Sequence, residues 1–236
     1  MTGQLDPIAL MRKIGELESK IEALRTIQTG GQWIPAGVPV YVSTTSVRFN
    51  GVDLANVFPV GTKIKLTQTT VKYFYVLSVV YSAGDTTLTL TGGSDYTVAN
   101  AAITEFHYSH AAVADGFPSY FNWTPSFSGS GSMTISSLSL TIATFTLNGS
   151  LLNTTLRATF TTGGTASNSV IFNLPLPASN IYHMFSALRV DGGSGLSGLS
   201  FVLATDVSKT QVRPWDSTNW GLGTGRQIYF TGTYTI

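Results

Sequence analysis

Cysteine is absent from all 236 residues, which excludes disulfides and thiolate metal sites and leaves durability to packing and assembly. Charge is scarce: Asp, Glu, Lys and Arg make up 11% of the chain, less than half the usual share of about 25%. Four residues of each sign already lie in the first thirty, so the remainder is nearly uncharged. A net charge of +1 gives no basic footprint for the phosphates of a nucleic acid. The local gathering of Lys63, Lys65 and Lys72 sits on alternating strand positions and reads as a solvated face. No run of eighteen apolar residues is present to span a bilayer, and the start Met-Thr-Gly-Gln lacks the charged and apolar regions of a signal peptide. These absences predict a product made in the cytoplasm, without membrane insertion and without a nucleic-acid partner.

What is present begins with a heptad. Leu10, Ile14, Leu17, Ile21 and Leu24 fall alternately four and three residues apart, which puts all five side chains on one narrow seam of a helix. Asp6-Pro7 supplies an N-cap and a first-turn residue with no amide to satisfy, and Thr29-Gly30-Gly31 supplies the stop. Two apolar positions in seven is the pattern of a coiled coil, whereas a helix packed on its own β domain carries a broader stripe. The seam therefore predicts association with identical helices. Isoleucine at Ile14 and Ile21 alternating with leucine leans toward a dimer by the core rules alone. Three heptads with Gly15 inside and Gln28 at the last core position are too short to hold a bundle unaided, so the heads must contribute.

After the glycines the apolar period changes to two. Val38 to Phe49, Lys63 to Gln68, Val71 to Tyr81 and Thr86 to Thr91 read as strands, with turns at Asn50-Gly51, Ala83-Gly84-Asp85 and Gly92-Gly93. Ala111 to Pro118 reads as a linker. Beyond Phe121, strands are expected near 133–139, 141–148, 151–161, 169–174, 182–190, 198–204, 209–215 and 226–236, with Leu174-Pro175-Leu176-Pro177 as a corner. Short strands divided by Gly, Ser, Thr and Asn are the sequence form of a β-sandwich or jelly roll. The expected organisation is mostly β: a coiled-coil oligomerisation or anchor segment at 1–31, a small β-barrel-like module at 32–112, and a β-sandwich or jelly-roll head at 113–236.

Candidate chemistry is sparse. Asp191, Asp206 and Asp216 are the only side-chain carboxylates after Asp115. Each lies beside turn residues, where an aspartate caps local amides, so no catalytic pair is expected. Gly192-Gly193-Ser194-Gly195 lies in a glycine-rich loop and lacks the strand-to-helix context of a nucleophile elbow. Gly221-Leu222-Gly223-Thr224-Gly225 precedes a strand and aims no helix at a phosphate. His107 and His110, three apart on a strand, point to opposite faces, and His183 beside Tyr182 reads as a rim residue, so neither a metal nor a cofactor is expected. Sugar recognition is the more credible activity, because flat aromatic rings cover pyranose faces while Asn, Asp and Ser hold hydroxyls. Trp215, Asp216, Asn219 and Trp220 place both kinds within six residues. The favoured reading for Trp215 or Trp220 is nevertheless a plug in the core or in a subunit interface. Trp123, between Phe121 and Phe127, is expected to pack.

Several segments carry a family resemblance. Phe58-Pro59-Val60-Gly61-Thr62-Lys63-Ile64-Lys65-Leu66-Thr67-Gln68, then Val71 to Val76 and Leu90-Thr91-Gly92-Gly93, resemble a small β module of tailed-bacteriophage virion proteins. Phe121 to Gly129, Phe160 to Ala166, Phe172 to Pro175 and the closing Ile228 to Ile236 resemble the head module of phage fibres and related surface appendages. Where that family often continues with a basic, tyrosine-bearing strand, this chain has the uncharged run from Ser136 to Leu147, which leaves the head's ligand unspecified. The resemblance implies a homotrimeric structural virion protein, a fibre or tail or head appendage, attached to other virion proteins through its amino-terminal segment. It implies contact with a host-surface glycan or protein. The alternatives are a capsid decoration or head fibre with no particular ligand and, third, a glycan-degrading tail spike.

Overall fold

The computed structural model describes Lys13, Ile14, Leu17 and residues 32–191, 194–203 and 205–236, with the backbone alone at 194–199. Within these residues the chain is mostly β and forms two antiparallel sheets. Of the expected seam, Ile14 and Leu17 have helical backbone and are 45% and 57% exposed. Leu10, Ile21 and Leu24 lie outside the described residues.

The first sheet contains β1 (Ile34–Pro35), β2 (Val40–Ser43), β3 (Ser46–Phe49), β4 (Lys63–Thr67), β5 (Val71–Ser82), β6 (Asp85–Thr91) and β7 (Glu105–Ser109). Their order is β1-β7-β4-β5-β6-β3-β2. Alternation decides which face is buried: Ile64, Leu66, Phe74, Val76, Leu88, Leu90, Val47, Phe49 and Phe106 line one core, and Phe58, Val98 and Ile103 cover it from the loops. Two polar side chains tie those loops down. The Gln68 amide donates to the carbonyls of Ala99 and Ala101 at 2.8 and 3.0 Å, and Thr86 Oγ1 donates to Val52 O at 2.6 Å while accepting from Leu54 N.

One expected strand, Val38 to Phe49, is instead the β2–β3 hairpin. Ser43 Oγ accepts from the Thr45 amide at 3.2 Å and bonds Ser46 Oγ at 2.7 Å, so short hydroxyl side chains divert the backbone into a turn where the β-branched composition reads as extended.

The second sheet contains β8 (Phe121–Asn122), β9 (Phe127–Gly129), β10 (Met133–Asn148), β11 (Leu151–Gly164), β12 (Val170–Asn173), β13 (Met184–Asp191), β14 (Ser194–Leu203), β15 (Asp206–Pro214) and β16 (Gly223–Thr235). The order is β8-β10-β11-β16-β13-β14-β15-β12-β9. β9 stands at one end of that order and β10 is next to the end strand β8 at the other, yet only residues 130–132 separate β9 from β10. The sheet therefore rolls over on itself. Across the turn between β9 and β10 the Met133 amide donates to Ser130 O at 3.3 Å, while the amides of Ser130 and Thr165 continue the β9–β12 and β10–β11 ladders onto Ser169 O and Ser132 O. The rolled sheet encloses one core that includes Phe145, Leu156, Phe160, Phe172, Phe185, Val212, Trp220, Phe230 and Tyr234. The expected break between 139 and 141 is a register shift inside the single strand β10, and a second shift separates Ser136 from Ser139.

The two sheets meet in an aromatic joint. Tyr75 of β5 packs edge-on against Phe117 at 5.0 Å and Phe121 at 5.3 Å, and Phe121 reaches Phe145 at 6.0 Å. Backbones approach closely here. A Cβ on Gly93 would run into the carbonyl of Asn122, and one on Gly61 would lie 2.5 Å from Gly149 N; both glycines also have positive φ, +61° and +84°, a region costly for other residues. The Asp95 carboxylate accepts from Asn122 N and Nδ2 at 2.7 and 2.8 Å. The segment expected to link the modules is packed down as well: Ala114 is buried, Lys63 Nζ donates to Ala111 O, and Trp33 Nε1 donates to Asp115 O at 2.8 Å. Burial raises the Tyr75 hydroxyl above its ordinary pKa, partly offset by the Leu147 backbone.

Candidate functional site

The loop between β15 and β16 carries the four candidate ligand residues. Pro214 ends β15, having no amide for the ladder. The Ser217 amide closes a turn on Pro214 O at 3.1 Å, with Ser217 at φ 56°. Asp216 Oδ1 accepts from both the amide and the hydroxyl of Thr218, at 3.0 and 2.9 Å. Those hydrogen bonds hold its carboxyl below the usual range.

The second half of the loop is anchored from inside. Trp220 is fully buried, its amide donates to Ser167 O at 2.8 Å, and its ring lies 5.7 Å from Phe160 with the Arg189 guanidinium 4.6 Å above it. Trp220 thus presents no face to a ligand; its place is that of a core plug, the favoured role for one of these two tryptophans, and a turn has no period by which to tell which of them points inward. Trp215 is 74% exposed, and Asp216 and Asn219 are exposed beside it. The structure leaves Trp215, Asp216 and Asn219 on one exposed loop and removes Trp220 to the interior.

Beneath the loop is a charged cluster. Arg189, 2% exposed, donates through Nη2 to Asp191 and to Asn219 O, and through Nη1 to Thr218 O at 3.4 Å. Asp191 also accepts from Gly221 N at 2.7 Å and pairs with Arg226, whose Nε donates to Gly221 O at 3.1 Å. Burial alone would raise the Asp191 carboxyl, but the Gly221 amide and the two guanidiniums outweigh it and hold it low. Asp191 is therefore the hub of an ion network and not a turn cap. Asp206 is the turn cap expected: hydrogen bonds from Lys209 and from Ser208 push its pKa down to about 2.

Of the histidines, His110 lies edge-on to Tyr108 at 5.3 Å. His183 lies half-buried with Nε2 3.4 Å from Thr235 Oγ1. Among the described residues no three His, Asp or Glu side chains gather in a way that could hold a metal ion.

A second concave region, which sequence reasoning missed, lies on the outer face of the second sheet. A groove of about 470 Å³ is lined by Ile142, Thr155, Arg157, Ser186, Leu188 and Tyr229 among others. Ile142 pairs with Arg157, Arg157 with Tyr229, and Tyr229 with Leu188, so these four form one row across β10, β11, β16 and β13. Arg157 stacks on the Tyr229 ring at 4.8 Å. The available signal is parity: these residues occupy strand positions alternating with Ala143, Leu156, Phe230 and Ala187, which are buried.

No family model matches this chain, and no curated protein or solved structure matches it either.

Proposed function

We propose that the chain is a structural virion protein of a tailed bacteriophage, a homotrimeric fibre or tail or head appendage displayed on the particle surface and contributing to host attachment. In this reading residues 1–31 form a coiled coil that trimerises the chain and engages other virion proteins. Residues 32–112 form the barrel-like module, and residues 113–236 form a sandwich head whose rolled sheet supplies two facing layers. The observation that carries it is a pair of apolar seam residues, Ile14 and Leu17, exposed at 45% and 57% in the single chain and followed by two β units locked end to end by Tyr75, Phe117 and Phe121. A helix with an uncovered heptad seam calls for copies of itself, and a stiff joint suits a projection that transmits contact.

Within the head, Trp215 with Asn219 is the attachment element, since an exposed indole offers a flat apolar face and an amide offers hydroxyl partners. The reading without a ligand, a capsid decoration or head fibre, draws support from the loss of Trp220 to the core. A glycan-degrading spike needs a carboxyl held high as general acid. Asp191, Asp206 and Asp216 are instead held low. The test is competition: purified full-length protein is expected to block virion adsorption to host cells, and Trp215→Ala protein to block it poorly. Equal blocking by both removes the Trp215 loop from the account, and no blocking by folded wild-type protein leaves only the decoration reading.

A further inference from the structure

We propose that the outer face of β10, β11, β16 and β13 is a second interface between copies of this chain, beside the amino-terminal seam. The inference rests on the homo-oligomer of the preceding section and assigns part of its contact surface.

Charge is the first argument. Of the charged residues on these four strands, Arg189, Asp191 and Arg226 belong to the inward network, and Arg157 alone points outward, laid over Tyr229. A face that meets its own copies around an axis brings like charges together at a cost, so a face whose single outward charge is laid against an aromatic ring suits self-association better than a charged one. Residues 116–156 contain no charged side chain at all.

Exposure is the second. Residues 136–142 of β10 are all exposed, among them Leu138, Leu140 and Ile142 at 39%, 37% and 41%. β8 pairs with β10 only at Thr144 and Phe145, so this stretch is a sheet edge, and it lacks the lysines and prolines that normally blunt an edge. Its two register shifts interrupt the ladder, which disfavours addition of a strand and favours docking through side chains. Across the same surface Leu188 and Met184 are 40% and 70% exposed. A groove of about 470 Å³ beside Tyr120, Asn122 and Leu140 shares Ile142 with the groove over Tyr229, so the concave surface is continuous from β8 to β13.

Area is the third. Four strands about 4.8 Å apart, with ten residues rising about 3.4 Å each, present roughly 650 Å². With the β8 edge added, that approaches the ~800 Å² per partner of a stable interface. A sugar fits less well, because the only aromatic ring in the row has its face taken by Arg157 and Asn153 Oδ1 already accepts from Thr233.

The test is sedimentation of the full chain over a dilution series, comparing wild type with Ile142→Arg/Leu188→Arg and with the seam variant Leu17→Asp. The double variant, folded by circular dichroism, is expected to dissociate at a concentration at least about tenfold higher than wild type. Unchanged dissociation, with assembly lost only in Leu17→Asp, overturns the face and leaves the stalk reading standing; a wild-type monomer at every concentration overturns both. Retained assembly with lost competition for host cells would assign the face to a host ligand and overturn the proposal. Because the chain has no native cysteine, Thr155→Cys carries a single spin label on this face in an otherwise unaltered chain. Dipolar coupling between labels on different copies is expected, and its absence in the assembled protein also overturns the proposal.

Discussion

The two sheets distribute charge differently. In the first, cations lie on the surface and stitch it together: Lys65 sits 5.0 Å over the Trp33 ring, Lys63 reaches Ala111 O, and Lys72 donates to Thr97 O and Gln68 Oε1 at 2.8 and 3.2 Å. In the second, Arg189, Asp191 and Arg226 are drawn inward to hold one loop, Asp206, Lys209 and Arg213 are confined to β15, and the broad face above β11 and β16 keeps Arg157 alone. A surface with distributed charge resists association, and one without it invites association. In the proposed function the first sheet is accordingly the solvated spacer, and the second the part proposed to meet other molecules.

The sharpest way to break that contrast is Asp191→Ala, which leaves Arg189 charged and buried. Losing one partner of a buried pair costs about 3–5 kcal/mol, and chemical denaturation is expected to show that loss in the second sheet; a change near zero would mean the network is ornamental. The same carboxyl predicts a direction with pH. Its folded pKa lies below the unfolded value near 4, so its contribution is complete above that value and disappears as pH falls through the folded pKa. Wild type should therefore lose more stability in acid than Asp191→Ala does.

Next comes the joint. Gly93→Ala imposes positive φ and a clash with Asn122 O, a strain of about 1–3 kcal/mol. Calorimetry is expected to split one transition into two as the sheets uncouple, and a single transition at unchanged temperature would contradict a rigid joint. Lys65→Ala tests the surface stitching of the first sheet. An exposed cation–π contact is worth about 0.5–1 kcal/mol, so a small loss that salt does not change in sign is expected from thermal melting. Trp215→Ala is the smallest in stability, within about 0.5 kcal/mol, while its expected effect on adsorption is large. That separation of fold from attachment is the signature of an exposed recognition residue.

Much of the fold is legible in the sequence because alternation is strong where one face is buried. Lys63 to Thr67 and Leu151 to Gly164 are strands with the inward residues that alternation predicts; Val71 to Ser82 is a strand too, but Phe74, Tyr75 and Val76 are buried in succession, because Tyr75 turns to the joint with the second sheet. Strands of two or three residues, β1, β8 and β9, have no period to read and exist because neighbours pair with them. At the tip, the position of the Trp215 loop between strands is legible. The fate of Trp220 is not, since it depends on Phe160 and Arg189 brought from distant strands. Asp191 looks like a turn cap locally; Arg189 is two positions back on β13, but only the return of β16 beside β13 brings Arg226 to it. The outer row of Ile142, Arg157, Tyr229 and Leu188 escapes the sequence for the same reason: four residues from four strands become neighbours only through register.

The most direct measurement is the mass of the full-length protein in solution by multi-angle light scattering. Three chains per particle, falling toward one when Leu17 is replaced by aspartate, is the predicted result. A single chain at every concentration, with Ile14 and Leu17 covered by the same molecule, would contradict it.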